Sequence, residues 1–267
     1  MSRIDVEITE QVGWIRLNRP EKLNALSIDM WHDLPRAVTE LADDDRVRVL
    51  VVAGRGPAFT VGIDLQMLAG LAPDAPSEGA RNLQTYQTIK ELQGSFTALA
   101  ECPKPVVAAV HGYCLGAGID LITACDIRLA AADAVFSIRE TRMGLVADVG
   151  TLQRLPRIIG PGRVAELAFT GRDIDAHTAA EIGLVDHVHP DHDALVAATA
   201  ELAAEIAANS PIVVQGIKRV LRAGADLSLD AALDYVALWN AAMIHTNDLG
   251  EAMTAFLERR PPRFTGT

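Results

Sequence analysis

Twice in this chain an unbroken apolar run ends in a glycine-rich turn that opens a helix. The first is "VRVLVVAG" running into "RGPAFTVGIDL"; the second is "KPVVAAVHG" running into "YCLGAGIDLITAC". A strand with one face in water alternates apolar and polar residues. A run without a polar break predicts a strand covered on both faces, as in a parallel sheet packed under helices. The glycines after each run free backbone N–H groups ahead of a helix, where a developing negative charge is stabilised. The chain therefore reads as α/β, with its turns rather than its strands carrying the chemistry.

The flanking sequence fits that frame. "IDVEITEQVGWIRLNRP" alternates on both sides of "EQVG" and predicts an N-terminal β-hairpin. "NALSIDMWHDLPRAVTELADDD" predicts a helix capped by Ser27 and kinked at Pro35. In "ARNLQTYQTIKELQGSFTALAEC" the residues Leu83, Tyr86, Ile89, Phe96 and Leu99 recur at helical intervals. "DIRLAAADAVFSI" predicts two short strands, and from Gly160 onward the pattern is helical. Gly171 and Gly183 sit at expected C-caps, and Ser210-Pro211 opens a helix. Residues 1–200 read as a core carrying the active site, and residues 201–267 as a helical region for subunit contacts.

Composition narrows the partners. A net charge of −11 argues against a nucleic-acid or anionic-membrane surface, while 49% apolar residues suffice for a large core. The longest apolar region is broken by His, Gly and Asp, so no membrane span is expected. No secretory start and no peroxisomal tripeptide is visible, and the placement expected is cytoplasmic. Cys102, Cys114 and Cys125 lack metal spacing and read as buried reduced thiols. The histidines do not cluster, no metal site is expected, and His111 reads as structural. A dinucleotide fingerprint starting at Gly116 would need glycine where Leu121 stands. Phosphate-loop, serine-hydrolase and zinc-protease motifs find no match.

Three acids remain. Asp120 lies inside the apolar "CLGAGIDLITACDI", and Glu140 and Asp148 stand eight residues apart in "IRETRMGLVADVGTLQRL". Carboxylates in such surroundings are capping, paired or chemically employed. Arg139, Arg142, Arg154 and Arg157 offer ion-pair partners, so the residues alone leave a structural role open beside a catalytic one. Asp126 reads as a cap or turn residue. Paired oxyanion donors with an acid nearby would suit proton abstraction beside a thioester carbonyl.

"GPAFTVGIDL", "KPVVAAVHGYCLGAGIDLITACDIRLAAADAVFS" and "LPRIIGPGRVAELAFTGRDIDAHTAAEIGLVDHV" resemble the enoyl-CoA hydratase/isomerase (crotonase) superfamily over essentially the whole chain. The resemblance implies a spiral of ββα units with a helical C-terminal trimerisation region, assembling as a homotrimer or homohexamer. It implies an acyl-CoA substrate, with coenzyme A entering as part of the thioester and no separate cofactor. The oxyanion donors would be the N–H groups of Ile63 and Ala117. Val61, Gly62, Ile63, Asp64, Leu65 and Gly118 would lie along the CoA and thioester, with Asp64 also holding its turn in shape. Where the family usually has three glycines in a row, this chain has "GAG".

The acids point within the family to 3,5-dienoyl-CoA to 2,4-dienoyl-CoA isomerases, which are similar in carrying Asp120, Glu140 and Asp148 at this spacing. Hydratases of the family have Glu at position 120 and normally Gly at 148. By resemblance, Asp148 is the base at C2, Glu140 the acid at C6, and Asp120 orients or tunes them within fatty-acid β-oxidation. One proton is expected to be shared between Glu140 and Asp148. The rival readings are a 2-enoyl-CoA hydratase using Asp120 and Glu140 on water, a 3-enoyl to 2-enoyl isomerase, and a catalytically silent homologue binding acyl-CoA or RNA.

Overall fold

The two apolar runs lie side by side and parallel, as β3 (Val49–Gly54) and β4 (Val106–Val110), in the middle of a six-stranded sheet. The computed structural model describes residues 3–69 and 74–267. The hairpin β1 (Ile4–Thr9) and β2 (Val12–Leu17) pairs antiparallel, and β2 then runs parallel to β3. On the far side β6 (Ile127–Ala131) and β9 (His187–His189) complete the order β1-β2-β3-β4-β6-β9.

The absence of a polar break in β3 and β4 has a direct structural cause. Leu50, Val52, Val106, Ala108 and Val110 enter one core, while Val49, Val51, Ala53, Val107 and Ala109 enter another on the opposite face. The second core is closed by Leu195, Ala203 and Ala207 of the helix His192–Ala207, which runs across residue 200.

A second, three-stranded sheet holds β5 (Tyr113–Leu115), β7 (Val135–Ser137) and β8 (Ile174–Asp175). From β4 onward the chain places one strand in the large sheet and the next in the small one, then a helix. That path gives β4, β5 and the helix Ala117–Thr123, and then β6, β7 and the short turn of helix Glu140–Met143. β5, β8 and β9 differ from the sequence reading, which has a loop at "YCL" and only helices beyond Gly160. At two or three residues each they are too short to show a period, and neighbouring strands stabilise them.

Three local expectations change. The helix after the hairpin is Ile28–Asp43, and Leu26 instead forms a parallel bridge with Ile63. Ser27 occupies the N-cap, yet its hydroxyl accepts from the Arg3 guanidinium at 2.9 Å rather than from the helix. Inside that helix Pro35 has no N–H for the Trp31 carbonyl; Ser95 Oγ donates to it instead, at 2.6 Å. Ser95 belongs to the helix Glu78–Glu101, which buries Leu92, Phe96 and Leu99 but leaves Leu83 and Tyr86 57% and 61% exposed. The helical period is real; the core ends before the helix does.

The helices Pro211–Gly224, Leu229–Met243 and Asn247–Glu258 bury little, with Leu221, Leu229, Phe256 and Leu257 all more than two-thirds exposed.

Candidate active site

The two glycine turns are bound edge to edge. Thr60 N–H donates to the Tyr113 carbonyl at 2.8 Å, and Leu115 N–H returns a bond to the Thr60 carbonyl at 3.1 Å. Two residues further on, Gly62 adopts φ +89°, and a Cβ there would stand 2.7 Å from the Leu115 carbonyl oxygen and 3.3 Å from Ala117 N. Only glycine lets the turns approach this closely. Leu26 accepts from Asp64 N–H at 3.0 Å and donates to the Gly62 carbonyl at 2.8 Å, so Ile63's own N–H faces away from that bridge. Ala117 opens its helix, so its N–H has no carbonyl one turn back. Ile63 and Ala117 line the same cavity.

Two residues hold the first turn. Asn24, fully buried at φ +56°, donates to the Arg55 and Ala58 carbonyls at 2.9 and 2.8 Å and accepts from Arg19 N–H at 2.7 Å. Sequence reading passed over Asn24; its signal is that asparagine tolerates the left-handed region. Asp64 accepts from the Arg19 guanidinium at 2.5 Å and from Gln66 N–H at 2.9 Å, and the arginine first, then the amide, lower its pKa. It braces the turn. Gly118 also packs structurally, since a Cβ there would meet Thr60 Cγ2 at 2.8 Å and Cys114 Sγ at 3.1 Å.

Glu140 and Asp148 border this cavity, whereas Asp120 is not on its wall. Asp120, fully buried in the helix Ala117–Thr123, accepts Thr151 N–H on Oδ1 at 2.5 Å, while Oδ2 has no protein partner. Burial pushes it up to about 6, aided by the Asp148 charge and opposed by Thr151. Glu140 begins the turn Glu140–Met143 and rests on the second glycine turn, where a Cβ at Gly116 would lie 3.4 Å from its Oε1. Its Oε2 is buried without a partner among the described residues. Burial and then the charges of Asp120 and Asp148 push it up to about 7. Asp148 is exposed on a loop tied by Gln93 Nε2, which donates to its carbonyl at 2.7 Å; its own carboxyl is raised, chiefly by burial of part of the group.

The flanking arginines are otherwise engaged. Arg139 pairs with Asp173 at 2.9 Å and Arg157 with Asp226 at 2.7 Å. Arg154 donates to the Val149 carbonyl at 3.3 Å and Thr97 Oγ1 at 3.1 Å, and Arg142 packs against Gly171. Among the described residues no ion pair includes Asp120, Glu140 or Asp148. Asp126 accepts Val106 N–H at 2.8 Å and pairs with Lys218 at 2.7 Å, a structural use. His111 is buried with Nε2 2.8 Å from the Gly56 carbonyl, also structural.

Glu140, Asp148, Val61, Gly62, Ile63, Leu65, Gly116 and Ala117 border one cavity of about 450 Å³, walled by Trp31, Ile89, Leu92, Met143 and Val146. Trp31 on that wall was not anticipated from sequence. A groove of about 560 Å³ between the helices Pro211–Gly224 and Leu229–Met243 has none of the three acids on its walls. An apolar chamber with two free N–H groups and two carboxyls can hold an acyl chain, polarise a carbonyl and move protons beside it.

The family model described as enoyl-CoA hydratase/isomerase matches residues 7–267. The mitochondrial Delta(3,5)-Delta(2,4)-dienoyl-CoA isomerase of Dictyostelium discoideum is 41% identical, over 98% of this chain and 90% of the relative. The peroxisomal enzyme of that name from Arabidopsis thaliana is 43% identical, over 93% of this chain and 90% of the relative. An enoyl-CoA hydratase structure from Bacillus anthracis superposes with a TM-score of 0.91 at 34% identity, covering both chains fully. The names of the two relatives overturn the cytoplasmic placement expected from sequence, one being mitochondrial and the other peroxisomal. Such addresses are read by receptors from short segments and leave no mark on core composition.

Proposed function

The chain belongs to the enoyl-CoA hydratase/isomerase family, and from that premise we propose that it converts 3,5-dienoyl-CoA to 2,4-dienoyl-CoA in fatty-acid β-oxidation. The observation that carries the reading is the pair Glu140 and Asp148 on one apolar cavity, each free of any ion pair among the described residues. Coenzyme A enters as half of the substrate, and the chemistry calls for no separate electron or group carrier.

Asp148, as carboxylate, takes a proton from C2. The electron pair moves toward the thioester oxygen, held by the N–H groups of Ile63 and Ala117, each contributing about 3–4 kcal/mol by analogy with other oxyanion donors. The resulting dienolate spreads charge over C2, C4 and C6. Glu140, which keeps its proton up to about pH 7 through burial and its acidic neighbours, delivers that proton to C6, and the double bonds settle at C2 and C4. Asp120 adds negative charge that keeps the proton on Glu140. The proton shared between acids thus resides on Glu140. Val61, Gly62 and Leu65 on the cavity wall are assigned to the thioester end, with Asp64 and Gly118 supporting their turns.

We assign the exposed apolar faces of the three C-terminal helices to subunit contacts in a homotrimer or homohexamer, because Leu221, Leu229, Phe256 and Leu257 would otherwise stay in water. A hydratase reading keeps one observation in its favour: Asp120 Oδ2 and Glu140 Oε2 are both buried and unpartnered among the described residues.

One assay separates the two. With a 3,5-dienoyl-CoA, the ultraviolet absorbance of the conjugated product is expected to rise quickly and to be lost in Asp148→Asn. Hydration of a 2-enoyl-CoA at a rate indifferent to that substitution would establish the hydratase instead.

A further inference from the structure

Asp148 removes the C2 proton in the proposed isomerisation, so the place of its carboxyl decides how fast that proton moves. Among the described residues no ion pair holds that carboxyl, and its place follows from the backbone that carries it. That backbone is a loop, and two side chains grip it at successive carbonyls. Gln93 Nε2 donates to the Asp148 carbonyl at 2.7 Å, across 55 positions of sequence, and Arg154 Nη1 donates to the Val149 carbonyl at 3.3 Å.

Resting on that reading of the reaction, we infer that Gln93 is a positioning residue for the Asp148 base, within a closed ring of hydrogen bonds that passes through Thr97, Arg154 and Val149. Thr97 Oγ1 donates to the Gln93 carbonyl at 2.8 Å and accepts from Arg154 Nη2 at 3.1 Å. Arg154 then reaches the Val149 carbonyl, the chain leads back to Asp148, and Gln93 Nε2 closes the ring. The Gln93 amide has one orientation that serves both its contacts. Its Oε1 accepts from Lys90 Nζ at 2.8 Å, which leaves Nε2 as the donor to the loop. Gly150, at φ +136°, makes room for the arginine, because a Cβ there would collide with Nη1.

The ring is built on the helix that also walls the cavity. Ile89 and Leu92 of Glu78–Glu101 border the cavity, and Gln93 stands one turn after Ile89 on the same side of that helix. The wall against which an acyl chain would pack and the clamp on the base thus belong to one element, so C2 and the Asp148 carboxyl are placed from the same frame. Gln93 itself is not on the cavity wall and acts through the backbone of Asp148. Proton transfer falls steeply with distance, and a misplacement of about 1 Å costs about 100-fold in rate. Loss of the clamp therefore belongs in kcat and not in KM. A bond that served only the fold would show the reverse, a lower melting temperature with turnover per folded molecule intact.

The test is steady-state kinetics with a 3,5-dienoyl-CoA, read beside melting temperatures, on Gln93→Met, Thr97→Val and Thr97→Ser. Gln93→Met keeps the length of the side chain and removes its amide. It should lower kcat about 30-fold per folded molecule, with KM within about twofold of wild type. Thr97→Val keeps the bulk and removes the hydroxyl that ties Arg154 to the helix; kcat should fall about fivefold, and Thr97→Ser should restore it. With substrate deuterated at C2, the isotope effect on kcat in Gln93→Met should equal or exceed that of wild type, because the C2 transfer is the step that has slowed. A wild-type kcat in Gln93→Met overturns the positioning role. So does a KM that rises as much as kcat falls, or an isotope effect smaller than that of wild type. Should Gln93→Met fail to fold, the Thr97 pair decides: a wild-type kcat in Thr97→Val overturns the role, and restoration by Thr97→Ser supports it. Absence of conjugated product from the wild-type enzyme would overturn the isomerase reading, and this inference with it.

Discussion

Asp120 and Asp248 are buried almost equally, at 0% and 2% exposure, yet they hold protons in opposite ways. Burial works against the Asp248 carboxylate, but Ser210 Oγ at 2.6 Å, Thr265 N–H at 2.8 Å and Gly266 N–H at 3.1 Å outweigh it and keep its pKa below the ordinary value. Asp120 has the Thr151 amide on one oxygen and no partner among the described residues on the other, and burial pushes it up to about 6. Asp248 pins the C-terminal tail to the start of the helix Pro211–Gly224. Burial therefore does not mark a reactive carboxyl; the number of donors that reach it does.

The comparison breaks most sharply on activity. Glu140→Gln and Asp148→Asn should each lower kcat by about 1000-fold, the usual scale for a positioned acid or base. Their melting temperatures should not fall, because among the described residues neither group is tied into the fold by an ion pair. A fall in both would class these acids with Asp248. Gly62→Ala comes next, with kcat about 100-fold lower, the cost of misplacing one oxyanion donor. The added methyl meets the Leu115 carbonyl at 2.7 Å, and φ +89° is unfavourable for alanine, so Ile63 N–H must shift.

Stability sharpens the contrast. Asp248→Asn should cost about 1.5–3 kcal/mol, since hydrogen bonds to a charged group are weakened, with activity per folded molecule retained. Calorimetry would register this as a drop of about 5 °C. Asp120→Asn should leave the melting temperature unchanged or raise it, because a poorly satisfied buried charge is removed. Equal losses from the two substitutions would erase the distinction.

The smallest effect is the pH dependence of stability. Asp120 is raised from 3.8 to about 6 and Glu140 from 4.5 to about 7, so the folded state binds extra protons between those values. These two groups make stability rise as pH falls from 7 toward 5. Asp248, with its lowered value, contributes stability that is present above the ordinary carboxylate range and is lost as pH falls below it. Melting curves should thus peak in mild acid, and in Asp248→Asn the decline on the acid side should be shallower. Activity shares that preference on its alkaline side: kcat/KM should fall as pH rises through about 7, where Glu140 loses its proton.

Much of this was visible in the sequence, for definable reasons. Unbroken apolar runs announced β3 and β4 because both faces of that sheet are covered. Gly62 and Gly116 announced close turns, and the three acids stood out against apolar surroundings. Short elements escaped. β5, β8 and β9 exist because a neighbouring strand offers them hydrogen bonds, which no local pattern records. Leu83 and Tyr86 have the right period but lie beyond the core's edge, and the partnership of Ser95 with Trp31 joins residues 64 positions apart.

By itself, the sequence determined the α/β class, the two turns and the identity of the acids, and its resemblance named the reaction that the relatives' names support. The tertiary structure alone decided how those acids are used. It paired Arg139 with Asp173 and Arg157 with Asp226 rather than with the three acids, and brought Thr151 across 31 residues to anchor one oxygen of Asp120. A carboxyl's hold on its proton depends on the water it has lost and on the charges and donors within a few ångströms, and those neighbours are assembled only by the fold.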